Sequence, residues 1–485
     1  MQSATLVQNA AFVEAASQML GTSGFTQDPE LVDPWLTDWR GRYTGKAIGL
    51  ASPATTAQVS QFVQLCSQHA IPIIPQGGNS GMAGGATPDM SGTGVLLSLR
   101  RMASIRTLDA EAGHVVCDAG VILQNLHDAA ESQQLRFPLT LGGKGSATIG
   151  GLIATNAGGT QVLRYGTMRA QVLGIEAVLA DGRIFDSLTV LKKDNRGFDL
   201  KQLLIGSEGT LGIITAATLR LLPAPQSRVT AWVGLRCVKD ARTLLRQCDS
   251  ALGGALEGFE VVPAHCLESV LAHQPDARSP LGEGHAWNAL IECTSPSPDR
   301  AGLSERVESQ LAAALENDLI QDAVIASNET QAEEFWHLRD SISAAERALG
   351  PAMQHDISVP VEKMPEFILA ASPEIEAEFP GTHCAAFGHL GDGNVHFHVL
   401  APKSAVPGEW ELDQGKAVSA RVHDLVTQWG GSISAEHGIG QMKVDELQRL
   451  GDPVALSMMR QVKDALDPRG ILNPGKLVPV LKNAL

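Results

Sequence analysis

Gly145-Ser146-Ala147-Thr148-Ile149-Gly150-Gly151-Leu152-Ile153-Ala154-Thr155-Asn156-Ala157-Gly158-Gly159 sits within residues 137 to 166, a stretch built mostly of Gly, Ser, Thr, Ala and Asn. It carries neither the helical nor the strand period, and a structureless stretch that long inside a compact domain usually serves a ligand. Arg164-Tyr165-Gly166 follows it. Upstream lies Pro75-Gln76-Gly77-Gly78-Asn79-Ser80-Gly81-Met82-Ala83-Gly84-Gly85, and downstream Gly206-Ser207-Glu208-Gly209-Thr210-Leu211-Gly212-Ile213-Ile214. A fourth glycine-rich loop covers 388 to 393. Glycine crowds where backbone takes positive φ or approaches a ligand closely, so four such loops point to a large, polyphosphate-bearing cofactor. Consecutive N–H groups in the 75 to 85 loop can form a concave anion site without a lysine. No G-K-[ST] follows that loop and the G-x-G-x-x-G spacing is missing, which disfavours a P-loop nucleotidase and an ordinary NAD fold. Taken alone, the loop reads equally well as a tight structural connection.

The rest of the composition is that of an ordinary globular protein of two or three domains: 485 residues, 44% hydrophobic and 19% charged. A net charge of -16 would repel a phosphate backbone, which argues against nucleic acid. No run of about 18 apolar residues occurs, and Met1-Gln2-Ser3-Ala4-Thr5-Leu6 lacks a basic n-region; we expect no membrane span and no export signal. Cys66, Cys117, Cys237, Cys248, Cys266, Cys293 and Cys384 are odd in number and never spaced C-x-x-C. They read as reduced thiols, with a cytoplasmic location as the expectation.

Val59, Phe62, Val63 and Cys66 recur at helical spacing and predict a helix over 56–70. Strands are expected at 71–74, 94–99, 114–118, 172–180, 184–185 and 213–222, and Pro223-Ala224-Pro225 marks a boundary near 225. Beyond it, strands at 228–236, 257–263, 287–293 and 321–327 alternate with helices at 238–252, 299–316 and 329–349. That is the pattern of an antiparallel sheet covered on one face by helices. A further helix is expected over 412–429. The fold class is α+β, divided as an N-terminal helical segment (1–45), a cofactor domain (46–225), a substrate or cap domain (226–465) and a C-terminal turn-rich segment (466–485).

Gly388-His389-Leu390-Gly391-Asp392-Gly393-Asn394-Val395-His396-Phe397-His398 reads as two short strands about an Asp-Gly turn, which returns two imidazoles to one point. His396 and His398 share a face by alternation, so spacing permits either as a metal ligand. Ser434-Ala435-Glu436-His437-Gly438-Ile439-Gly440 supplies a carboxylate beside another histidine. Two imidazoles and a carboxylate suit a divalent metal with open positions. The bland alternative is that Asp392 and Asn394 cap a turn and the histidines are surface or hydrogen-bonded core residues. Trp39-Arg40 reads either as part of an active-site mouth or as an exposed stack, and Arg100-Arg101 and Lys192-Lys193 as solvated charge pairs.

From about residue 38 to 477 the chain resembles the FAD-linked oxidases of the vanillyl-alcohol-oxidase class, and within them the D-2-hydroxyglutarate and D-lactate dehydrogenases. The segments FPLTLGGKGSATIGGLIATNAGG, LKKDNRGFDLKQLLIGSEGTLGIIT and LDPRGILNPGKL carry the likeness. The resemblance implies a PCMH-type FAD-binding domain of two α/β subdomains, followed by a cap domain whose antiparallel sheet is covered by helices. It implies that the 75 to 85 loop binds the FAD pyrophosphate and that 146 to 166 lines the flavin. Glu208-Gly209 with Ile213-Ile214 would hold the adenosine end, and Asn473 would return to the cofactor. The 75 to 85 loop has no histidine or cysteine, so FAD is expected to be non-covalent.

The resemblance further implies that His389, His396 and Glu436 bind zinc, or manganese, iron or cobalt, and that His437 is the catalytic base. It places Arg339, Ser343, Gln354, Asn394 and His437 at the substrate. Relatives specific for 2-hydroxyglutarate often carry lysine at Gln354, which leaves room for D-lactate or another D-2-hydroxy monocarboxylate. The implied reaction is oxidation of a D-2-hydroxy acid; the acceptor stays open between electron-transfer flavoprotein, a quinone and a cytochrome, and a homodimer is the commonest departure from a monomer. Two other classes remain open on the residues alone: a flavin-free metal hydrolase and a non-catalytic subunit retaining only the fold.

Overall fold

The computed structural model describes residues 2–191 and 193–479; Met1, Lys192 and 480–485 lie outside the described residues. The chain forms two compact units. The first comprises Met1–Gly159, Gly166–Pro223 and Glu436–Leu485, and the second Thr160–Tyr165 and Ala224–Ala435.

In the first unit, the short strands Phe25–Thr26, Leu50–Ala51, Val95–Ser98 and Ile73–Gln76 form one sheet in that order. A second, antiparallel sheet is ordered Ile105–Asp109, His114–Asp118, Ile213–Arg220, Val172–Val178, Ile184–Ser187. The helix Thr56–His69 begins at Thr55, whose hydroxyl accepts from Gln58 N, and ends on Ala70 in the left-handed conformation before Pro72. Phe62, Val63 and Cys66 are its buried face. The returning segment enters through Ile73, whose N–H donates to Ile471 O at 2.7 Å while Asn473 N donates to Ile73 O at 2.8 Å.

Within 137 to 166, expected to be without regular structure, Ile149–Thr155 is a helix. Ile149, Leu152 and Ile153 are buried at helical spacing, and Asn156 closes the helix in the left-handed region. Gly150 lets it approach the neighbouring backbone: a Cβ there would lie 2.7 Å from Ala119 Cβ. The glycines that hide the helical signal are therefore what allow the close packing.

The second unit is one antiparallel sheet ordered Asp322–Ile325, Ser227–Leu235, Trp287–Ser295, Leu256–Pro263, His383–His389, Asn394–Leu400, Ala352–Ser358. Helices cover both faces rather than one, because each face carries a cluster of buried apolar side chains. Phe259, Val261 and Ile291 join one buried cluster with Leu244 and Phe367 of Val238–Leu252 and Met364–Glu378. Trp232, Val262 and Leu290 join another with Val270 and Phe335 of Ala264–His273 and Glu329–Asp340. The single helix expected over 329–349 divides at Ser341 into Glu329–Asp340 and Ile342–Leu349. That expected over 412–429 runs Lys416–Gln428 after a wider turn at Glu411–Gly415.

All seven cysteines remain thiols. Burial pushes Cys117, Cys248 and Cys384 up to about 12, so these are packing residues. No helix among the described residues is long and apolar enough to cross a membrane. Trp39 is exposed with the Arg40 guanidinium 5.5 Å from its ring. Arg100 and Arg101 do more than meet solvent: Arg100 stacks 4.6 Å over Trp35, and Arg101 Nη1 donates to Ser52 O at 2.8 Å and Ser23 O at 3.1 Å.

Candidate cofactor and substrate sites

The three glycine-rich loops of the first unit meet through positions where no side chain fits. A Cβ on Gly77 would lie 2.2 Å from Thr148 Oγ1, one on Gly78 1.7 Å from Ser146 O, and one on Gly209 2.4 Å from Pro75 Cγ. Among the described residues nothing accepts a hydrogen bond from the backbone N–H groups of Gly77, Gly78, Asn79, Ser80 or Gly81. Thr148 Oγ1 beside them is buried, with no hydrogen-bond partner among the described residues. A run of unpaired N–H groups pressed against a small-residue turn is the donor set an anionic pyrophosphate requires, so these residues fit FAD. Asn79, at φ 52°, donates its amide to Thr37 O at 2.9 Å, which holds the loop open. Gly158 and Gly159 follow the 149–155 helix, and a Cβ on Gly159 would meet Thr140 O at 2.1 Å. Gly145, by contrast, faces open space.

Glu208 has a different task from the cofactor contact that the resemblance implies. Its carboxylate accepts from Ile439 N at 2.8 Å and Gly440 N at 2.7 Å. Burial raises its pKa against the opposing pull of those two bonds and of Lys443 and Lys476. Asn473 donates its amide to Glu208 O at 2.7 Å and Gly85 O at 3.0 Å. A Cβ on Gly440 would lie 2.0 Å from Ala83 O, so the segment after Glu436-His437 is pressed onto the end of the 75 to 85 loop. Gly212, Ile213 and Ile214 enter the second sheet of this unit, with Ile213 paired to Val178 and Ile214 to Ala177. Gly166 belongs to this unit and Tyr165 to the other, where its hydroxyl lies 3.5 Å from Glu257 Oε2.

In the second unit, strand register places Glu260 opposite His389, His389 opposite Asn394, His396 opposite Asp356, and His398 opposite Gln354. Paired residues share a face, so one side of the sheet carries three histidines and two carboxylates. His389 Nε2 and His396 Nε2 are 3.4 Å apart. Arg339 Nη2 is 3.0 Å from the first and 3.3 Å from the second, and Arg339 Nε donates to Glu260 Oε2 at 2.9 Å. Burial first, then the Arg339 charge, holds His396 well below the usual imidazole range. Burial alone would raise Glu260, but Arg339 and His389 more than offset it and keep its carboxyl below the ordinary range.

Two imidazole nitrogens bound at 2.0–2.1 Å to a tetrahedral ion lie about 3.3–3.4 Å apart, and this pair already presents its Nε2 atoms to a cationic group. The pair therefore fits a divalent metal. Among the described residues no group of three or more His, Cys, Asp or Glu converges on a metal position. Glu436 and His437 belong to the first unit, and His389 and His396 to the second. His398 is engaged elsewhere: its Nδ1 lies 2.5 Å from Glu346 Oε2, with both side chains buried, so of the two histidines the spacing permits, His396 is the one beside His389. Asn394 donates to Asp356 Oδ1 and Ile357 O, both at 2.9 Å, which ties its amide nitrogen to the sheet. Ser343 is half-buried on the helix after the one carrying Arg339.

Sequence reading missed Glu260, Glu346 and Glu257. For Glu260 the available signal was an acidic residue between the apolar Phe259 and Val261 in the strand expected at 257–263. Glu257 accepts from Gln161 at 2.9 Å and meets Arg164 Nη1 at 3.4 Å.

The family description "FAD linked oxidases, C-terminal domain" matches residues 224–477, and an FAD binding domain matches 47–187. The chain belongs to the FAD-linked oxidases. Among relatives of this oxidase, the mitochondrial D-2-hydroxyglutarate dehydrogenase of Bos taurus is 37% identical over 452 residues, 93% of this chain and 80% of that protein. The Arabidopsis thaliana protein of the same name is 35% identical over 462 residues, 95% and 80% of the two chains. The D-2-hydroxyglutarate–pyruvate transhydrogenase of Saccharomyces cerevisiae is 30% identical over 460 residues, 93% and 91%. Substrate-bound p-cresol methylhydroxylase shares the fold, with a TM-score of 0.75 at 17% identity over 99% of this chain and 98% of that one. The cytoplasmic location expected from the thiols is overturned, since the plant and bovine relatives are both named as mitochondrial. Buried thiols are inert packing in any compartment and carry no address.

Proposed function

We propose that this FAD-linked oxidase oxidises a D-2-hydroxy acid to the 2-oxo acid, with D-2-hydroxyglutarate as the first substrate to test. The observation that carries the reading is 35–37% identity, over more than nine-tenths of the chain, to proteins named D-2-hydroxyglutarate dehydrogenase. The paired imidazoles beside a buried arginine add chemical support.

A secondary alcohol gives up hydride readily only once its proton has left. When bound, FAD accepts the hydride equivalent and a divalent ion, zinc first among the candidates, lowers the pKa of the substrate hydroxyl. The N–H groups of 77–81 hold the pyrophosphate non-covalently. His389 and His396 present neutral Nε2 donors to the ion, with Glu436 assigned as the carboxylate donor and His437 as the base on the sequence resemblance. Arg339 is assigned to the substrate carboxylate on the sequence resemblance, and its burial and the planar fork of its N–H groups support that role. Electron-transfer flavoprotein or a quinone is the proposed acceptor.

Anaerobic titration with D-2-hydroxyglutarate, D-lactate and the L-enantiomers, followed in the visible flavin band, tests the reaction. Bleaching by a D-acid only is expected. Bleaching by D-lactate alone would keep the chemistry and assign a monocarboxylate, in line with Gln354. No flavin band after adding FAD would end the reading. Treatment with a strong chelator should lower the bleaching rate at least tenfold, with recovery on adding Zn2+ or Mn2+; full activity in a metal-free preparation would remove the Lewis-acid role.

A further inference from the structure

We propose that Glu260 is a shared positioning residue, one carboxylate that fixes both the guanidinium of Arg339 and the ring and tautomer of His389. Metal affinity and substrate affinity then depend on the same buried side chain. This rests on the functional reading above and adds a residue that neither the motif nor the resemblance singles out.

Glu260 lies at the centre of the seven-stranded sheet and is 1% exposed. Its two oxygens face different partners. Oε2 accepts from Arg339 Nε at 2.9 Å, and Oε1 stands 3.6 Å from His389 Nδ1. Both Oε1 and His389 Nδ1 are buried, and among the described residues neither has a hydrogen-bond partner. The opposite ring nitrogen, His389 Nε2, is 3.0 Å from Arg339 Nη2. A guanidinium nitrogen only donates, so Nε2 presents its lone pair and the ring proton sits on Nδ1, toward the carboxylate. The three side chains close a ring: Glu260 to Arg339, Arg339 to His389, His389 back to Glu260.

A ligand imidazole whose far N–H points at a carboxylate is held in orientation and made more basic, and losing such a partner typically weakens metal binding 10–100-fold. Asp392 is the competing anchor, with Oδ2 3.9 Å from His389 Nδ1. Its other oxygen already accepts from Asn394 N at 3.0 Å and caps the turn. Glu260 is closer and more deeply buried. Asp340 also pairs with Arg339, through Nη1 at 3.5 Å, from a largely exposed position.

The test compares the flavin-loaded wild type with Glu260→Gln, Glu260→Asp and, as a matched buried carboxylate of the same unit, Glu346→Gln. Each is stripped with a chelator and titrated with Zn2+ and Mn2+ against a chromophoric competitor. KM and kcat for the D-2-hydroxy acid that bleaches the wild type, FAD content and Tm are measured alongside. Glutamine keeps the shape and the bond from Arg339 but offers His389 an N–H or a weaker acceptor. We expect Glu260→Gln to weaken metal binding about 10–100-fold and to raise KM at least fivefold. Glu260→Asp, which restores the charge, should recover part of both. Glu346→Gln should lower Tm and leave metal affinity within twofold.

Wild-type metal affinity in Glu260→Gln, or a change in KM alone, overturns the shared role. If Glu260→Gln does not fold, unchanged metal affinity and KM in Glu260→Asp overturn it instead. A wild type that binds metal but is bleached by no D-2-hydroxy acid would count against the proposed reaction, while the metal titrations would still decide the ring between Glu260 and His389. A wild type that binds neither metal would overturn the inference.

Discussion

Gly78→Ala should yield a protein that no longer retains FAD through desalting. The Cβ it introduces would lie 1.7 Å from Ser146 O, 2.7 Å from Ser146 C and 3.3 Å from Ala147 Cα. These are backbone atoms, so no side chain can rotate away, and the 77–81 turn must part from 145–148. Overpacking of this kind costs about 1–3 kcal/mol, and here it also splays the N–H groups that would face the pyrophosphate. The expected result is at least a tenfold fall in the ratio of flavin to protein absorbance and a Tm lower by several degrees. Gly142→Ala is the matched control, because a Cβ at Gly142 meets nothing within 4 Å and its φ is unremarkable. It should keep both flavin and Tm. Full flavin content in Gly78→Ala would show that 77–81 is not the anion cradle.

The close approach of the glycine loops was legible because glycine records backbone proximity directly. Gly77, Gly78 and Gly209 stand where Thr148, Ser146 and Pro75 leave no room, so loops 75–85, 145–159 and 206–214 announce their meeting in composition alone. The histidine pair was legible for a similar reason. A turn at Asp392-Gly393 fixes which residues of two strands face each other, and alternation brings His389 and His396 to one side.

What was not legible is set by residues far apart in sequence. Glu260 meets Arg339 79 positions away, and Glu346 meets His398 52 positions away; no local period encodes such a partner. The choice between His396 and His398 depended wholly on Glu346. The helix Ile149–Thr155 was obscured by the glycines that let it pack on Ala119. Helices on both faces of the sheet were missed because both sides of its central strands carry buried apolar residues, Phe259 and Val261 on one and Val262 and Leu290 on the other. Glu208 shows the limit of motif reading: its place in a glycine-rich loop suggests a ligand contact, whereas its carboxylate is used on Ile439 and Gly440.

That use of Glu208 shapes what His437→Ala should do. The imidazole sits one residue before Gly438, at φ 77°, and three before Gly440, at φ 53°. The segment is fixed by the Glu208 carboxylate and by Gln441 N and Met442 N donating to Ala83 O at 3.1 and 3.2 Å. None of these bonds uses the side chain at 437, so all of them survive its removal. FAD content and Tm should match the wild type. Flavin reduction by a D-2-hydroxy acid under anaerobic conditions should fall by about 10²–10⁴, the usual worth of a general base. A general base acts only when deprotonated, so with His437 in that role the wild-type reduction rate should rise with pH, and that rise should vanish in the variant. Stopped-flow reduction across pH 5–9 separates the outcomes. A uniform fall with the wild-type pH profile intact would mean that His437 only positions the substrate, and near-wild-type reduction would remove the base assignment altogether.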